Sequence, residues 1–258
     1  MSNFGLIETI KVLNGKLVFK DLHVSRLTDS LNAIGVNVSA ISIEAKLLSL
    51  LENECLGNGF KDFRLRIEIH KIRVNDCIPC LSDLIWSCKI SPLEKNIYSF
   101  NEKGLTLAYL PKYKKPIEPF MNLKHTERGI YDRAALYAKE NNYNDAIVLN
   151  GYNRISDTSI CNIFIVKDQS IITPSLSEGP VMGVFRAFII NNALALKVIE
   201  RSVSMEDLYL ADGVFITNAV KGIRWVEYIE DRRYSAASVK NVVSDIKILT
   251  DNTQYNYE

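Results

Sequence analysis

The chain has 258 residues, 47% hydrophobic and 24% charged, enough apolar side chains to bury the core of one large domain or two small ones. Its 31 basic residues are balanced by 30 acidic ones, so no excess of positive charge points to a nucleic acid or a membrane surface, and small molecules are the expected partners. The start lacks the basic and apolar regions of an export signal, and no apolar run approaches the roughly 18 residues of a spanning helix. The five cysteines are an odd number, so the expectation is a cytoplasmic protein with reduced thiols.

Leu6 to Val12 alternates apolar with polar, Asn14-Gly15 is a two-residue hairpin signal, and Lys16 to Phe19 resumes the strand. Leu22 to Ile34 reads as an amphipathic helix with Arg26 at the edge of its apolar face, and Ser42 to Glu54 as a second helix ending in Leu56-Gly-Asn-Gly59. Phe63 to His70 then alternates as a strand that puts Arg64, Arg66 and Glu68 on one face, either a solvated sheet surface or the lining of a cleft. Cys77-Ile-Pro-Cys80 has redox or zinc spacing, but Cys88 and His70 do not clearly supply a second ligand pair, and a turn with two small side chains accounts for it as well.

Strands follow at Asp83 to Ile90 and Leu105 to Tyr109. Leu110 to Pro119, with three prolines and three lysines, can continue neither a helix nor a central strand. That segment divides the chain into a small N-terminal lobe over 1–110, a linker over 111–119 and a larger lobe over 120–258, with the lysines read as a solvated connector. Asn122-Leu123-Lys124-His125 precedes a helix-like run, Tyr131 to Glu140. An apolar strand, Ala146 to Leu149, a turn, Asn150 to Asn153, and an acid, Asp157, entering the next strand come after it. This order brings an amine and a carboxylate to one sheet. Beyond a hairpin at Lys167 to Ser170, a Gly- and Pro-rich stretch leads into an apolar helix expected over Val184 to Leu196, whose free N–H groups and dipole suit a phosphate. Asp212 to Gly222 is a buried strand opening into a small-residue turn, a second place for an anion.

Six motifs in this order carry a resemblance. They are Phe4-Gly-Leu-Ile-Glu-Thr-Ile10, His23-Val-Ser-Arg-Leu27, Leu123-Lys124, Ser156-Asp-Thr-Ser-Ile-Cys-Asn-Ile-Phe164, Gly183-Val-Phe-Arg186 and Thr217-Asn-Ala219. Together they resemble the class IV aminotransferase family, the fold-type IV pyridoxal-phosphate enzymes. The resemblance implies an α+β, two-lobed fold like that of D-amino-acid aminotransferase, with a small N-terminal α/β lobe, a larger lobe built on a mixed, barrel-like sheet, and a homodimer. It implies that pyridoxal 5'-phosphate is the cofactor and Lys124 its Schiff-base lysine. Arg26, the backbone at Val184 and Phe185, and the Thr217-Asn218 turn would then hold the phosphate, and Asp157 would face the ring nitrogen. A carboxylate there keeps that nitrogen protonated and the ring an electron sink, and a cation near the lysine lowers its pKa. Without the family, Lys124 reads as a surface residue before a helix and Asp157 as a turn acid.

Four positions depart from the family pattern. Asp157 stands where glutamate is usual, Phe185 where threonine is commoner, and Gly129 where aminotransferases place a tyrosine. The Asp-Arg-Gly and Tyr-Gly-Asp elements are not present, so one wall of the substrate cleft is expected to be reduced. The context Leu-Lys-His-Thr-Glu-Arg128 and the late Thr-Asn-Ala219 resemble aminodeoxychorismate lyase, with Thr9 and Arg66 as candidate substrate contacts. The alternatives are a branched-chain or D-amino-acid aminotransferase, or a member whose cleft has lost catalysis.

Overall fold

The computed structural model describes residues 4–55, 59, 61–71, 79–93, 98–193 and 196–251. Cys77 and the turn residues Leu56 to Asn58 lie outside these. The chain divides into two compact units, residues 1–96 with 123–127 and residues 97–122 with 128–258. Among the described residues no helix is long and apolar enough to cross a membrane.

The first unit is a four-stranded antiparallel sheet in the order β2-β1-β3-β4, formed by β1 (Gly5–Leu13), β2 (Lys16–Leu17), β3 (Phe63–Lys71) and β4 (Leu84–Ser91). Asn14 and Gly15 both have positive φ, 49° and 71°, as a type I′ turn requires, and this fixes the hairpin register at Val12 opposite Leu17. The second arm is shorter than its sequence suggests, because Phe19 takes a left-handed conformation and launches α1 (Lys20–Ala33). α2 (Ala40–Leu50) opens with a capping box between Ser39 and Ser42. The β1–β3 register sets Leu6, Glu8, Ile10 and Val12 opposite Ile69, Ile67, Leu65 and Phe63. Strand alternation then places Ile7, Thr9, Lys11, Arg64, Arg66 and Glu68 on the other face.

Residues 123–127 belong to this unit because they pair with the edge of β1 that β3 does not occupy. The Ile7 N–H donates to the Lys124 carbonyl at 2.7 Å, the Thr126 N–H donates to the Gly5 carbonyl at 2.8 Å, and Leu6 faces His125 in an antiparallel bridge.

The second unit is a nine-stranded mixed sheet. Its order is β10 (Lys197–Arg201), β9 (Ser170–Pro174), β8 (Asn162–Lys167), β11 (Gly213–Asn218), β12 (Gly222–Ile229), β5 (Leu105–Tyr109), β6 (Asp145–Leu149) and β7 (Ile155–Thr158), with β13 (Arg232–Arg233) paired to β12. β12, β5 and β6 run parallel and β9 pairs parallel with β10, while the other ladders are antiparallel. The sheet curls into a half-barrel, so that β7 at the end of the order also meets β8. One side is filled by Ile147, Ile163, Ile165, Val214, Ile216 and Val226. On the other, α3 (Gly129–Glu140) lays Tyr131, Ala134 and Ala138 over Ala146 and Val148. The apolar helix α4 (Val184–Asn192) is shorter than expected; it ends at the Asn191-Asn192 pair, whose side chains compete with the backbone for hydrogen bonds. This is the two-lobed α+β architecture that the resemblance implies.

Candidate active site

In the first unit the site is built around a buried acid. Glu8 sits among the apolar residues of β1 and is 1% exposed, and α1 lays His23 and Arg26 against it. Arg26 Nε donates to Glu8 Oε2 at 3.2 Å and its Nη2 donates to Oε1, while His23 Nδ1 lies 2.5 Å from Oε1. Arg26, expected at the edge of the apolar face, is therefore buried and held by two hydrogen bonds. Burial pushes the Glu8 carboxyl up, but Arg26 and His23 outweigh it and hold the group at about 2. Burial also pushes the His23 imidazole down, against the pull of Glu8 and with the help of the cations at Arg26 and Lys124. The triad is thus a buried carboxylate shared between a guanidinium and an imidazole.

Lys124 is half-buried beside Ile7. Thr9 lies two residues further along β1, with Arg66 directly across from it. Arg66 is already forked onto Glu68, with Nε and Nη2 at 3.0 and 2.7 Å from Oε1. A substrate carboxylate would have to exchange with that partner.

In the second unit the acid is Asp157, 2% exposed on β7 opposite Val148. Its Oδ2 accepts from the Tyr131 hydroxyl at 3.0 Å, the Val181 N–H at 3.0 Å and Lys115 Nζ at 3.4 Å, while Oδ1 is buried and has no partner among the described residues. The lysines of the Pro-rich segment were expected to be solvated. Lys112 and Lys114 are exposed, but Lys115 is fully buried against Tyr131 and Asp157. That correction has a physical cause: a buried carboxylate needs a cation, and the backbone of Lys115 is stitched to the end of β6 through Leu149 and Gly151, which carries its side chain inward. Burial pushes the Lys115 ammonium down against the pull of Asp157, and burial together with Asp157 pushes the Tyr131 phenol well above its ordinary value.

Val181 links this acid to the helix expected to hold a phosphate. Its carbonyl accepts from Asn162 Nδ2 at 2.8 Å and from the Gly183 N–H at 2.7 Å, and Gly183 is the N-cap of α4. Gly183 has no side chain to cap the helix, and none would fit, since a Cβ there would lie 1.8 Å from Asn162 Oδ1. The start of α4, with Val184 and Phe185 both buried, is therefore shaped for donation from main-chain amides. Thr217 pairs with Asn162 across the β8–β11 register, and its hydroxyl is buried without a partner among the described residues. Asn218 next to it donates from Nδ2 to Cys161 Sγ at 3.2 Å and accepts the N–H groups of Val220 and Lys221, closing the small-residue turn. Asp157, Val181, Gly183, Asn162, Thr217 and Asn218 thus form one continuous wall.

The orphaned Asp157 Oδ1 and Thr217 hydroxyl, with an uncapped helix start between them in this chain of contacts, fit a group that has a protonated ring nitrogen and a phosphate. Reading the sequence singled out Asp157, Val184, Phe185, Thr217 and Asn218, but missed Lys115, Tyr131 and Glu8. At the Cys-Ile-Pro-Cys stretch, Cys80 is exposed, with its Sγ 3.0 Å from the Ser82 hydroxyl, and Cys77 lies outside the described residues.

The chain is 30% identical over 125 residues to a "probable branched-chain-amino-acid aminotransferase" of Aquifex aeolicus, a match spanning 46% of this chain and only 40% of that protein. It is 25% identical over 244 residues to the aminodeoxychorismate lyase of Bacillus subtilis, covering 91% of this chain and 80% of that one. Among solved structures it superposes on the branched-chain aminotransferase of Thermoproteus uzoniensis with norvaline at a TM-score of 0.77 and 25% identity, over 98% of this chain and 88% of the other. The model of the family described as amino-transferase class IV matches residues 5–229, and the chain belongs to that family of pyridoxal-phosphate-dependent enzymes.

Proposed function

We propose that this protein is a lyase that releases pyruvate from 4-amino-4-deoxychorismate and leaves 4-aminobenzoate, a folate precursor, acting as a cytoplasmic homodimer. The observation that carries the reading lies on β1. Thr9 stands two residues beyond Ile7, whose N–H holds the Lys124 carbonyl, with Arg66 directly across from it. Two strand residues span about 7 Å, a distance suited to one small cyclic acid held between an amine, a hydroxyl and a guanidinium. The Leu-Lys-His-Thr-Glu-Arg128 context and the alignment with the Bacillus lyase along nearly the whole chain support it.

Pyridoxal phosphate, when bound, would supply an aldehyde for the substrate's amino group and an electron sink for the charge that develops as a ring proton leaves. In this reading Arg26, the first amides of α4 and the Thr217-Asn218 turn are the residues that would hold its phosphate, and Asp157 Oδ1 would accept from its ring nitrogen. The Lys124 amine takes the proton from the substrate ring carbon. The electron pair of that C–H bond completes the aromatic ring as the C–O bond to the enolpyruvyl group breaks, and the released enol becomes pyruvate. Thr9 hydrogen-bonds the substrate and Arg66 binds its carboxylate.

A second reading, transfer of an amino group from a branched-chain or D-amino acid, is favoured by the Aquifex relative, whose aligned segment has the higher identity. Two assays on the holoenzyme decide between them. The lyase reading expects pyruvate and 4-aminobenzoate in equal amounts from aminodeoxychorismate, both lost in Lys124→Ala. Amino transfer to 2-oxoglutarate without pyruvate release overturns it in favour of the aminotransferase.

A further inference from the structure

Lys115 is a fully buried cation outside every motif that points to the cofactor. Its main chain is fixed, with the N–H on the Leu149 carbonyl at 2.8 Å and the carbonyl accepting from Gly151 at 3.2 Å. Its side chain donates to the Tyr131 hydroxyl and reaches Asp157 Oδ2 at 3.4 Å, and Tyr131 donates to the same oxygen. With the Val181 N–H, three donors converge on Oδ2 and, among the described residues, none on Oδ1. An ammonium buried to this degree is costly unless an anion faces it. Asp157 is the carboxylate it meets.

We infer that Lys115 is a positioning residue for the cofactor's ring nitrogen: with Tyr131 it pins Asp157 by one oxygen, turns the other out as a single acceptor, and keeps the group a carboxylate so that the shared proton sits on the ring. The inference rests on the reading of Asp157 as the acid at that nitrogen. The physical argument concerns where one proton settles between two bases. In a buried site a carboxylic acid facing a neutral ring nitrogen is favoured over a carboxylate facing a protonated one, because separating charge is expensive where the dielectric is low. An ammonium bound to the far oxygen reverses that preference. It lies closer to the carboxylate than to anything bound at Oδ1, so its attraction to the anion exceeds its repulsion of the protonated ring. The shorter Asp in place of the family's Glu is thus served by a cation of its own.

The test loads holoenzyme with pyridoxal phosphate labelled with 15N at the ring nitrogen and reads the nitrogen chemical shift at pH 7.5, whose protonated and unprotonated forms are far apart, in wild type, Lys115→Arg, Lys115→Gln and Asp157→Asn. Wild type and Lys115→Arg are expected to give a protonated ring and Asp157→Asn an unprotonated one. Lys115→Gln keeps a donor but no charge, and its shift should move more than halfway from the wild-type value to that of Asp157→Asn. Lys115→Met serves in its place if the glutamine variant does not fold. A neutral variant with the wild-type shift, or a wild-type ring that is unprotonated, overturns the inference. If Asp157→Asn itself leaves the shift unchanged, Asp157 is not the ring acid and the reading beneath the inference fails instead.

Discussion

Glu8→Gln removes one charge from the core of the first unit and leaves size and shape nearly unchanged. Glu8 is held at about 2 against an ordinary 4.5, so its ionised form is favoured in the folded protein by roughly 3 kcal/mol at neutral pH. Because the folded value is depressed, that stabilisation is present above about pH 4.5 and lost as pH falls toward 2, with more than half of it gone by pH 3. The variant also puts a neutral amide in place of the carboxylate that Arg26 and His23 share, and breaking a buried pair in this way costs about 3–5 kcal/mol. Urea unfolding of cofactor-free protein, followed by circular dichroism at pH 7 and pH 3, measures both effects. Glu8→Gln should be less stable by about 3–5 kcal/mol at pH 7, and the gap should narrow by about 2 kcal/mol at pH 3. His23 bonds the same carboxylate, so the pair of proteins is compared again in a His23→Asn background, where no imidazole titrates beside position 8 and the narrowing should persist. If the two stability curves run parallel from pH 7 to pH 3, the Glu8 carboxyl is not held down by Arg26, and the buried pair is not what fixes the guanidinium.

Arg26→Ala should weaken binding of pyridoxal phosphate by about 1.5–3 kcal/mol, seen as faster loss of the visible band on dialysis; a variant that unfolds more easily yet keeps its cofactor would make Arg26 purely structural. Gly183→Ala drives a methyl into Asn162 Oδ1, so it should cost about 1–3 kcal/mol in thermal stability and loosen the cofactor. Adding Asn162→Ala should restore part of both losses. Asp157→Asn should bind cofactor but turn over two to three orders of magnitude more slowly, a loss of about 3–4 kcal/mol of transition-state stabilisation. Asp157→Glu tests whether the shorter acid is fitted to its surroundings: Lys115, Tyr131 and the Val181 amide already occupy one oxygen, so the added methylene should lower activity, and unchanged kinetics would count against that fit.

Much of this arrangement is legible in the sequence because it is local. The Asn14-Gly15 turn, the alternation of Phe63 to His70, and the succession of Lys124, helix, apolar strand and Asp157 are all set by residues near one another. What sequence reading misses is the long-range pairing of charges. Lys115 stands beside two exposed lysines and among prolines, and nothing nearby distinguishes it; its partner lies 42 residues away on another element. Glu8 reads as one polar residue in an alternating strand, yet it is the anion that Arg26 needs, 18 residues on. One signal was available. An acid flanked by Ser156 and Thr158 in a wholly buried strand must find donors, a cation among the strongest, and Lys115 belongs to the segment that precedes Lys124.

The five residues that carry Lys124 also bear on how the protein is made. β1 is synthesised before β3 and β4, which complete its sheet by Ser91, but the amide of Ile7 and the carbonyl of Gly5 have no strand partner until residues 124–126 arrive. A nascent chain emerging from the ribosome therefore carries an open apolar edge at Leu6 and Ile7 for longer than its sheet would otherwise require. Unpaired edges of that kind are where growing chains associate with one another. Closure of that edge comes from the short segment that also carries Lys124, so a polypeptide stopped before residue 123 keeps the edge open.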